Sequence, residues 1–496
     1  MARIAVIGAG MGALSAAARL AVAGHRVTVY ERTDTYGGAL RRFERDGFSF
    51  DTGPGLLPLP AVYRDLFVKT GKEPLEACVE LVQVDPSSRH VFADGTRVSL
   101  PNASRAGVVA ALDEALGSGA GKRWGDFLVR AREAWDRTRR PLLEEPLWPN
   151  WQVLADREPY PAVPHKRLLR TRRAGTLAEV GAWELRDPRL AALLESHALA
   201  QGLDPRVTPA SAAVLPYMEH AFGTWYVRGG MRELARAVYE RCLARKVEFR
   251  FGAEVTGVLE KDGRASGVEL ADGSVAEADH VVAGVAPGVL ERLTAGHAVR
   301  GDGEVPAQRA AAGRLTVLLA LRGARPEGTA HRTVVHTQDR EAELEALFGT
   351  AARHAHPTVT VLRPGDPRSA PEDHEAVTLT TVVPARPDQS CEDLAAQLLT
   401  VAERAVPDLR DRLLWHEVRT PADIADATGA EDGSVPVPAL AAAGGRLLHP
   451  SNSTRVPGLF AVGGWAHPGG GLPHAGMSGA LVAGLIVEGP EFRGSQ

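Results

Sequence analysis

The sequence predicts an α/β protein, in which a parallel-sheet domain is interleaved with a second domain of mixed sheet and helical cap. Three observations carry this. The chain opens on a strand, a glycine turn and a helix, Val6-Ile7-Gly8-Ala9-Gly10-Met11-Gly12-Ala13. It closes on a second strand, glycine run and helix start, from Gly458-Leu459-Phe460-Ala461-Val462-Gly463-Gly464 through Leu472-Pro473. Between them, strand signals bracket a long stretch, residues 104–222, whose pattern is helical.

The opening unit has all the parts of a dinucleotide turn. Residues 3–7 form a short apolar run suited to a buried parallel strand. Gly8 and Gly10 let the chain turn tightly and bring backbone amides close to a pyrophosphate, while Ala13 takes the third small position, where helix and strand pack closely. A helix over 14–23 aims its N-terminal dipole at the phosphates. Residues 25–30 form the next strand, and Glu31 ends it where an acid can bind ribose hydroxyls. A Rossmann-like domain completed from both ends of the chain points to FAD more than NAD. A second unit of this kind does not occur, so a tightly docked nicotinamide is not expected; oxygen, a quinone or the substrate itself is left as electron partner. The apolar, alanine-rich start lacks a cationic n-region and is interrupted by glycines, which argues against a secretory signal.

With 496 residues the chain is too long for one simple core, and two intertwined domains are expected. Hydrophobic residues make up 44% and charged residues 24%, and the net charge of -4 implies no nucleic-acid surface. Cys78, Cys242 and Cys391 are odd in number and far apart, so neither a disulfide framework nor a metal site is expected, and a reducing cytoplasm fits. No apolar stretch is long and charge-free enough to span a bilayer.

Later elements follow in order. Residues 81–84, 90–92 and 97–100 read as a meander with Asp94-Gly95 as a hairpin turn. Strand signals return at Trp225-Tyr226-Val227, and a helix over 231–244 follows Gly229-Gly230. Residues 247–258, 265–270 and 279–283 read as strands, as do 315–321 and 377–383 in a second sheet, with a helix near 390–405. The resulting division is 1–103, 223–300 and 421–496 for the dinucleotide-binding parts, 104–222 for a helical insert and 301–420 for the substrate-domain sheet.

Several segments together resemble the bacterial phytoene desaturase family, a branch of FAD flavoproteins related to the amine oxidases. They are Gly8 to Glu31, Phe48-Ser49-Phe50-Asp51-Thr52-Gly53-Pro54, Gly223-Thr224-Trp225-Tyr226-Val227-Arg228-Gly229-Gly230, Asp366-Pro367-Arg368-Ser369-Ala370-Pro371-Glu372, and His467-Pro468-Gly469-Gly470-Gly471-Leu472-Pro473. The resemblance implies that Gly8, Gly10, Gly12 and Ala13 cradle the pyrophosphate and that Glu31 binds the adenosine ribose. It implies that Val255 touches the adenine side and that Gly463, Gly464, Leu472 and Pro473 border the isoalloxazine. Arg32, Gly38, Ala39, Gly53 and Pro54 complete the expected cofactor set. The chain departs from the family at Ala39, where Arg or Lys is common, at Gly284-Val285-Ala286-Pro287, at His331-Arg332 in place of paired histidines, and at His474 in place of glycine. Arg41 or Arg42 is the candidate to replace the missing cation at position 39.

The implied reaction is C=C formation in a lipophilic, carotenoid-like polyene. A hydride leaves an allylic carbon for flavin N5 while a neighbouring carbon loses a proton. His474 and His467 flank the glycine run and are the candidate bases; Glu219 and His220 are candidates to line the substrate cavity. Alternatives are a flavin oxidase or desaturase of another secondary metabolite or an amine, a saturase working in reverse, and a flavin-binding scaffold without turnover. Trp124, Trp135, Trp148 and Trp151 among arginines, followed by 165–170, suit either peripheral membrane docking or an amphipathic cap over the site.

Overall fold

A five-stranded parallel sheet joins the two ends of the chain. Its order is Glu248–Phe251, Arg26–Glu31, Arg3–Ile7, His280–Ala283 and Leu459–Ala461, every neighbouring pair parallel. The computed structural model describes residues 1–165, 170–298, 312–349, 356–384 and 389–494. Ile4, Ala5 and Val6 are buried, as a central strand covered on both faces requires. Helix Met11–Val22 packs along helix Leu472–Val487, and the small residues of both permit close approach. Ala16, Ala17 and Ala18 are fully buried, and a Cβ on Gly479 would lie 2.6 Å from the Gly12 carbonyl oxygen.

The second sheet has seven strands, ordered Leu413–Arg419, Ala312–Arg322, His374–Pro384, Val359–Leu362, Arg332–Val335, Ser88–Val91 and Arg97–Leu100. Alternation divides its faces. Leu315, Val317, Leu319 and Leu321 pack with Leu394 and Leu398 of helix Cys391–Ala402, while Leu318 and Ala320 pack against Phe48 and Phe50.

Two sequence expectations change here. The three strands expected to form one meander divide between sheets. Leu81–Gln83 pairs with Thr224–Val227, whereas Ser88–Val91 and Arg97–Leu100 extend the seven-stranded sheet. The last two strands lie inside 1–103 but belong to the other sheet, because Ser88–Val91 finds a parallel partner in Arg332–Val335 that local sequence does not reveal. Residues 247–258 likewise split into Glu248–Phe251 and Val255–Lys261, in different sheets.

Residues 104–222, the insert, carry helices Arg105–Leu116, Ala120–Arg139, Pro188–Leu199 and Val214–Phe222. Ser104 and Asp187 cap two of them by accepting from the amides of Gly107 and Arg189. Trp124 and Trp135 are buried in its core with Phe127, Leu190 and Leu193, so of the two readings these side chains fit the cap and not a membrane face. Trp148 and Trp151 are half-buried. Arg130 pairs with Glu184, and Arg132 and Arg137 pair with acids one turn away, so this helix face is largely self-neutralised. Of the basic run 165–170, residues 166–169 lie outside the described residues. Among the described residues no helix is long and apolar enough to cross a membrane.

Candidate active site

The site lies where strand ends and helix starts of the parallel sheet converge. Gly8 turns at φ +86°, its amide donates to the Tyr30 carbonyl at 2.8 Å, and a Cβ there would stand 3.1 Å from the Gly284 oxygen. Gly10 precedes helix Met11–Val22, which has no side-chain cap. A Cβ on Gly10 would meet nothing within 4 Å, so the turn is open beside the uncapped helix start. Gly12 meets the far end of the chain: its Cβ would lie 2.6 Å from the Gly463 Cα and 3.1 Å from the Ala475 oxygen. Ala13 is buried with its Cβ against Gly284.

Glu31 ends its strand with both carboxylate oxygens engaged. Oε2 accepts from the Ala9 amide at 2.7 Å, and Oε1 accepts from the Thr33 amide and hydroxyl at 2.9 Å each. Oε1 thus has both lone pairs engaged, and Oε2 keeps one for a ribose hydroxyl. Arg32 turns away and donates to the Asp426 carbonyl. Val255 is buried beside Ile7 and Tyr30.

The Gly37-Gly38-Ala39 loop lies against the turn. The Gly37 amide donates to the Ala9 carbonyl at 2.8 Å, and Gly38 approaches the Gly10 Cα. Gly53 abuts Ala39 so closely that a Cβ would lie 2.2 Å from the Ala39 oxygen; Pro54 follows. Arg41 stays at this loop, donating to the Gly38 carbonyl and the Thr33 hydroxyl at 3.1 Å, whereas Arg42 leaves for Gly229 and Glu233. Of the two candidates to replace a cation at position 39, Arg41 has the position.

On the opposite side, the Gly463 amide donates to Ser478 Oγ at 3.0 Å, and Gly464 packs against the Gly470 oxygen. The fully buried Asn452 ties this loop together, its Nδ2 reaching the carbonyls of Ala461 and His467 and the hydroxyl of Ser478. Sequence reading missed both Asn452 and Ser478, since no spacing singles out an asparagine between serines. Leu472 and Pro473 begin helix Leu472–Val487, which also lacks a side-chain cap, and Tyr63 donates to the Leu472 carbonyl at 2.8 Å.

The two candidate histidines have different surroundings. His467 is fully buried, with Nε2 2.9 Å from the Glu145 carbonyl oxygen; burial holds it at about 4. His474 lines a small cavity between the insert and loop 438–441, walled by Trp135, Leu142, Leu143, Val214 and Leu215. Desolvation also lowers His474 to about 4, so at neutral pH it is the free base. Glu219 lines neither of the cavities beside the site; it is held in an ion pair by Arg332 and faces His197 at 3.8 Å.

Two uncapped helix starts, a glycine cradle open at Gly10 and a carboxylate at the end of the second strand fit a flavin dinucleotide and define an FAD-dependent oxidoreductase. The chain belongs to the flavin containing amine oxidoreductase family, whose model matches residues 14–487. It is 31% identical to 4,4'-diapolycopene oxygenase of a Methylomonas species, over 98% of each chain. It is also 31% identical to hydroxyneurosporene desaturase of Cereibacter sphaeroides, over 98% of this chain and 97% of that one. Within the family it stands with the carotenoid desaturases. In fold it is similar to an oxidoreductase from Methanosarcina mazei, with a TM-score of 0.65 at 18% identity over 97% and 99% of the chains. It is also similar to putrescine oxidase bound to putrescine, with a TM-score of 0.63 at 14% identity over 98% and 99%.

Proposed function

We propose that this chain forms C=C bonds in a lipophilic, carotenoid-like polyene. The observation that carries the reading is His474, a neutral imidazole at the start of helix Leu472–Val487, facing a cavity walled mainly by apolar side chains. FAD, when bound, supplies the hydride acceptor at N5. Gly8, Gly10, Gly12 and Ala13 would hold its pyrophosphate and Glu31 its ribose, with Val255 and, through its backbone alone, Arg32 on the adenosine side. Gly38, Ala39, Gly53, Pro54, Gly463, Gly464, Leu472 and Pro473 border the ring system. The cavity fixes the polyene and keeps water away. His474 Nδ1 or Nε2 takes the proton from the carbon next to the one that loses hydride. His467, engaged by Glu145, is the second candidate and holds the loop.

An amine fits this cavity less well, because its lining has no carboxylate for an ammonium and includes Arg139. The relatives named as desaturases of hydroxyneurosporene and of phytoene support a long polyene. Such a substrate resides in membranes, so peripheral membrane association belongs to the proposal, with oxygen or a quinone as the electron acceptor the bound cofactor would need. Anaerobic incubation of the holoprotein with polyene-loaded liposomes tests the reading. Bleaching of the visible flavin band together with a red-shifted polyene supports it, and an oxidised flavin with every polyene offered overturns it. Reoxidation of the chemically reduced holoprotein by an unsaturated polyene would instead establish a saturase.

A further inference from the structure

The five-stranded parallel sheet is open along one side. Strand Glu248–Phe251 pairs with Arg26–Glu31 on its inner edge, and among the described residues no strand lies on its outer edge. An edge strand leaves a row of N–H and C=O groups pointing outward, a template for another strand. Its side chains alternate between two faces. Phe249 and Phe251 are half-buried and pack on Tyr239 of helix Arg232–Ala244, at 4.7 and 6.1 Å between centroids. Glu248 and Arg250, on the other face, are exposed, and neither forms an ion pair among the described residues.

This edge lies along a groove. Tyr239 and Leu243 of the helix line one side of it, and Leu270, Ala271, Asp272 and Ser274 of a hairpin turn line the other. A large apolar side chain stands exposed at each side: Leu243 is 46% exposed, and Val275, next to Ser274, is 58% exposed. Proline, bulges and charges are the usual guards of an edge. Residues 248–251 contain no proline, and their two charges have opposite signs.

Those charges match a second copy of the same strand. Residues 247–251 run apolar, acid, apolar, base, apolar. In an antiparallel pair centred on Phe249, Glu248 falls opposite Arg250 of the second copy, and Arg250 opposite its Glu248. Phe249 then meets Phe249, and Val247 meets Phe251. Opposite charges and aromatic pairs directly across a ladder are both favourable. The exposed Arg245 and Lys246 before the strand approach the exposed Glu254 that follows it in the other copy. Moving the centre by one residue to either charge sets Glu248 against Glu248 or Arg250 against Arg250, so charge also fixes the register. We propose that the chain forms a two-fold symmetric dimer through residues 248–251, its two five-stranded sheets joining into one. The ladder alone falls short of the roughly 1,000 Å² that a specific interface buries; the exposed apolar sides of the groove, closing on the second copy, supply the remainder. This assignment does not depend on the reaction the protein performs.

Sedimentation velocity of the holoprotein across the micromolar range tests it. The unaltered protein should sediment as a dimer. Arg250→Glu sets acid against acid and Glu248→Arg sets base against base, so each alone should weaken dimerisation by about tenfold or more. An equimolar mixture of the two variants should form the dimer again, because every charge then faces its opposite. The double exchange Glu248→Arg with Arg250→Glu should do the same within one chain. Flavin content reports that each variant has folded, and if one single variant does not fold, the other and the double exchange decide. A monomeric unaltered protein overturns the assignment. So does a dimer that survives both single variants, or a mixture and a double exchange that stay monomeric.

Discussion

Gly12, in the first helix, and Gly463, after the last strand, touch so closely that a Cβ on Gly12 would lie 2.6 Å from the Gly463 Cα and 3.0 Å from its amide nitrogen. Both neighbours are backbone and cannot swing aside. Gly12→Ala therefore forces the two ends of the chain apart, at a cost of about 1–3 kcal/mol. Thermal denaturation should show the loss, and the purified protein should carry less flavin. Gly10 behaves differently, because its Cβ enters open space. Gly10→Glu should leave the apoprotein as stable as the unaltered apoprotein yet colourless, its side chain occupying the place of the pyrophosphate. Full yellow colour in that variant would remove the cofactor assignment.

Glu31 fixes the turn as well as offering a lone pair of Oε2 to a ribose. Its charge-assisted bond from the Ala9 amide is 2.7 Å long, and such bonds contribute about 1.5–3 kcal/mol. Glu31→Gln keeps the shape but replaces one acceptor with a donor that faces an amide. Titration of apoprotein with FAD, followed by flavin fluorescence, should show affinity weaker by roughly ten- to a hundredfold. An unchanged dissociation constant would place the adenosine ribose elsewhere.

His474→Gln separates catalysis from binding. The imidazole stands in the cavity wall, not in the glycine cradle. Flavin content and its oxidised spectrum should persist, while the anaerobic bleaching rate falls by about 10²–10⁴, the usual contribution of a positioned base. A rate within threefold of the parent would transfer the role to His467 or to no protein base at all.

Much of this site is legible in the sequence because it is built from backbone. Gly8, Gly10 and Gly12 announce themselves through spacing between an apolar strand and an alanine-rich helix, and Gly463, Gly464 and Pro473 through a second such junction. What stays hidden depends on contacts between distant segments. Asn452 gains its role from three partners supplied by strand, loop and helix. Ser88–Val91 joins the second sheet through a parallel partner at Arg332–Val335. Trp124 and Trp135 among arginines suit either an interface or a cap in the sequence, and only helix packing turns both inward.

His90 and His336 give the last prediction, concerning pH. His90 Nδ1 and His336 Nε2 lie 2.9 Å apart in the buried face of the second sheet, with Ser88 Oγ on the other nitrogen of His90 and Phe92 stacked on His336. Desolvation lowers both, His336 to about 3. Nearby charge comes from Arg404, Arg332 and His197, all unfavourable to protonation. In the unfolded chain His336 titrates near 6.5. Between about 3 and 6.5 the unfolded state therefore binds more protons, and stability rises with pH through this window, is complete above 6.5, and is lost as pH falls. At pH 5 the loss from His336 is about 2 kcal/mol relative to pH 7. The buried carboxyls Glu343 and Glu158, raised to about 7 by desolvation, work in the opposite sense, so the total curve is not the readout. The readout is the difference in urea midpoint between pH 7 and pH 5 for the parent compared with His336→Gln. The parent should lose more on acidification than the variant does; equal losses would mean that His336 already carries a proton in the folded protein or stays unprotonated in the unfolded chain.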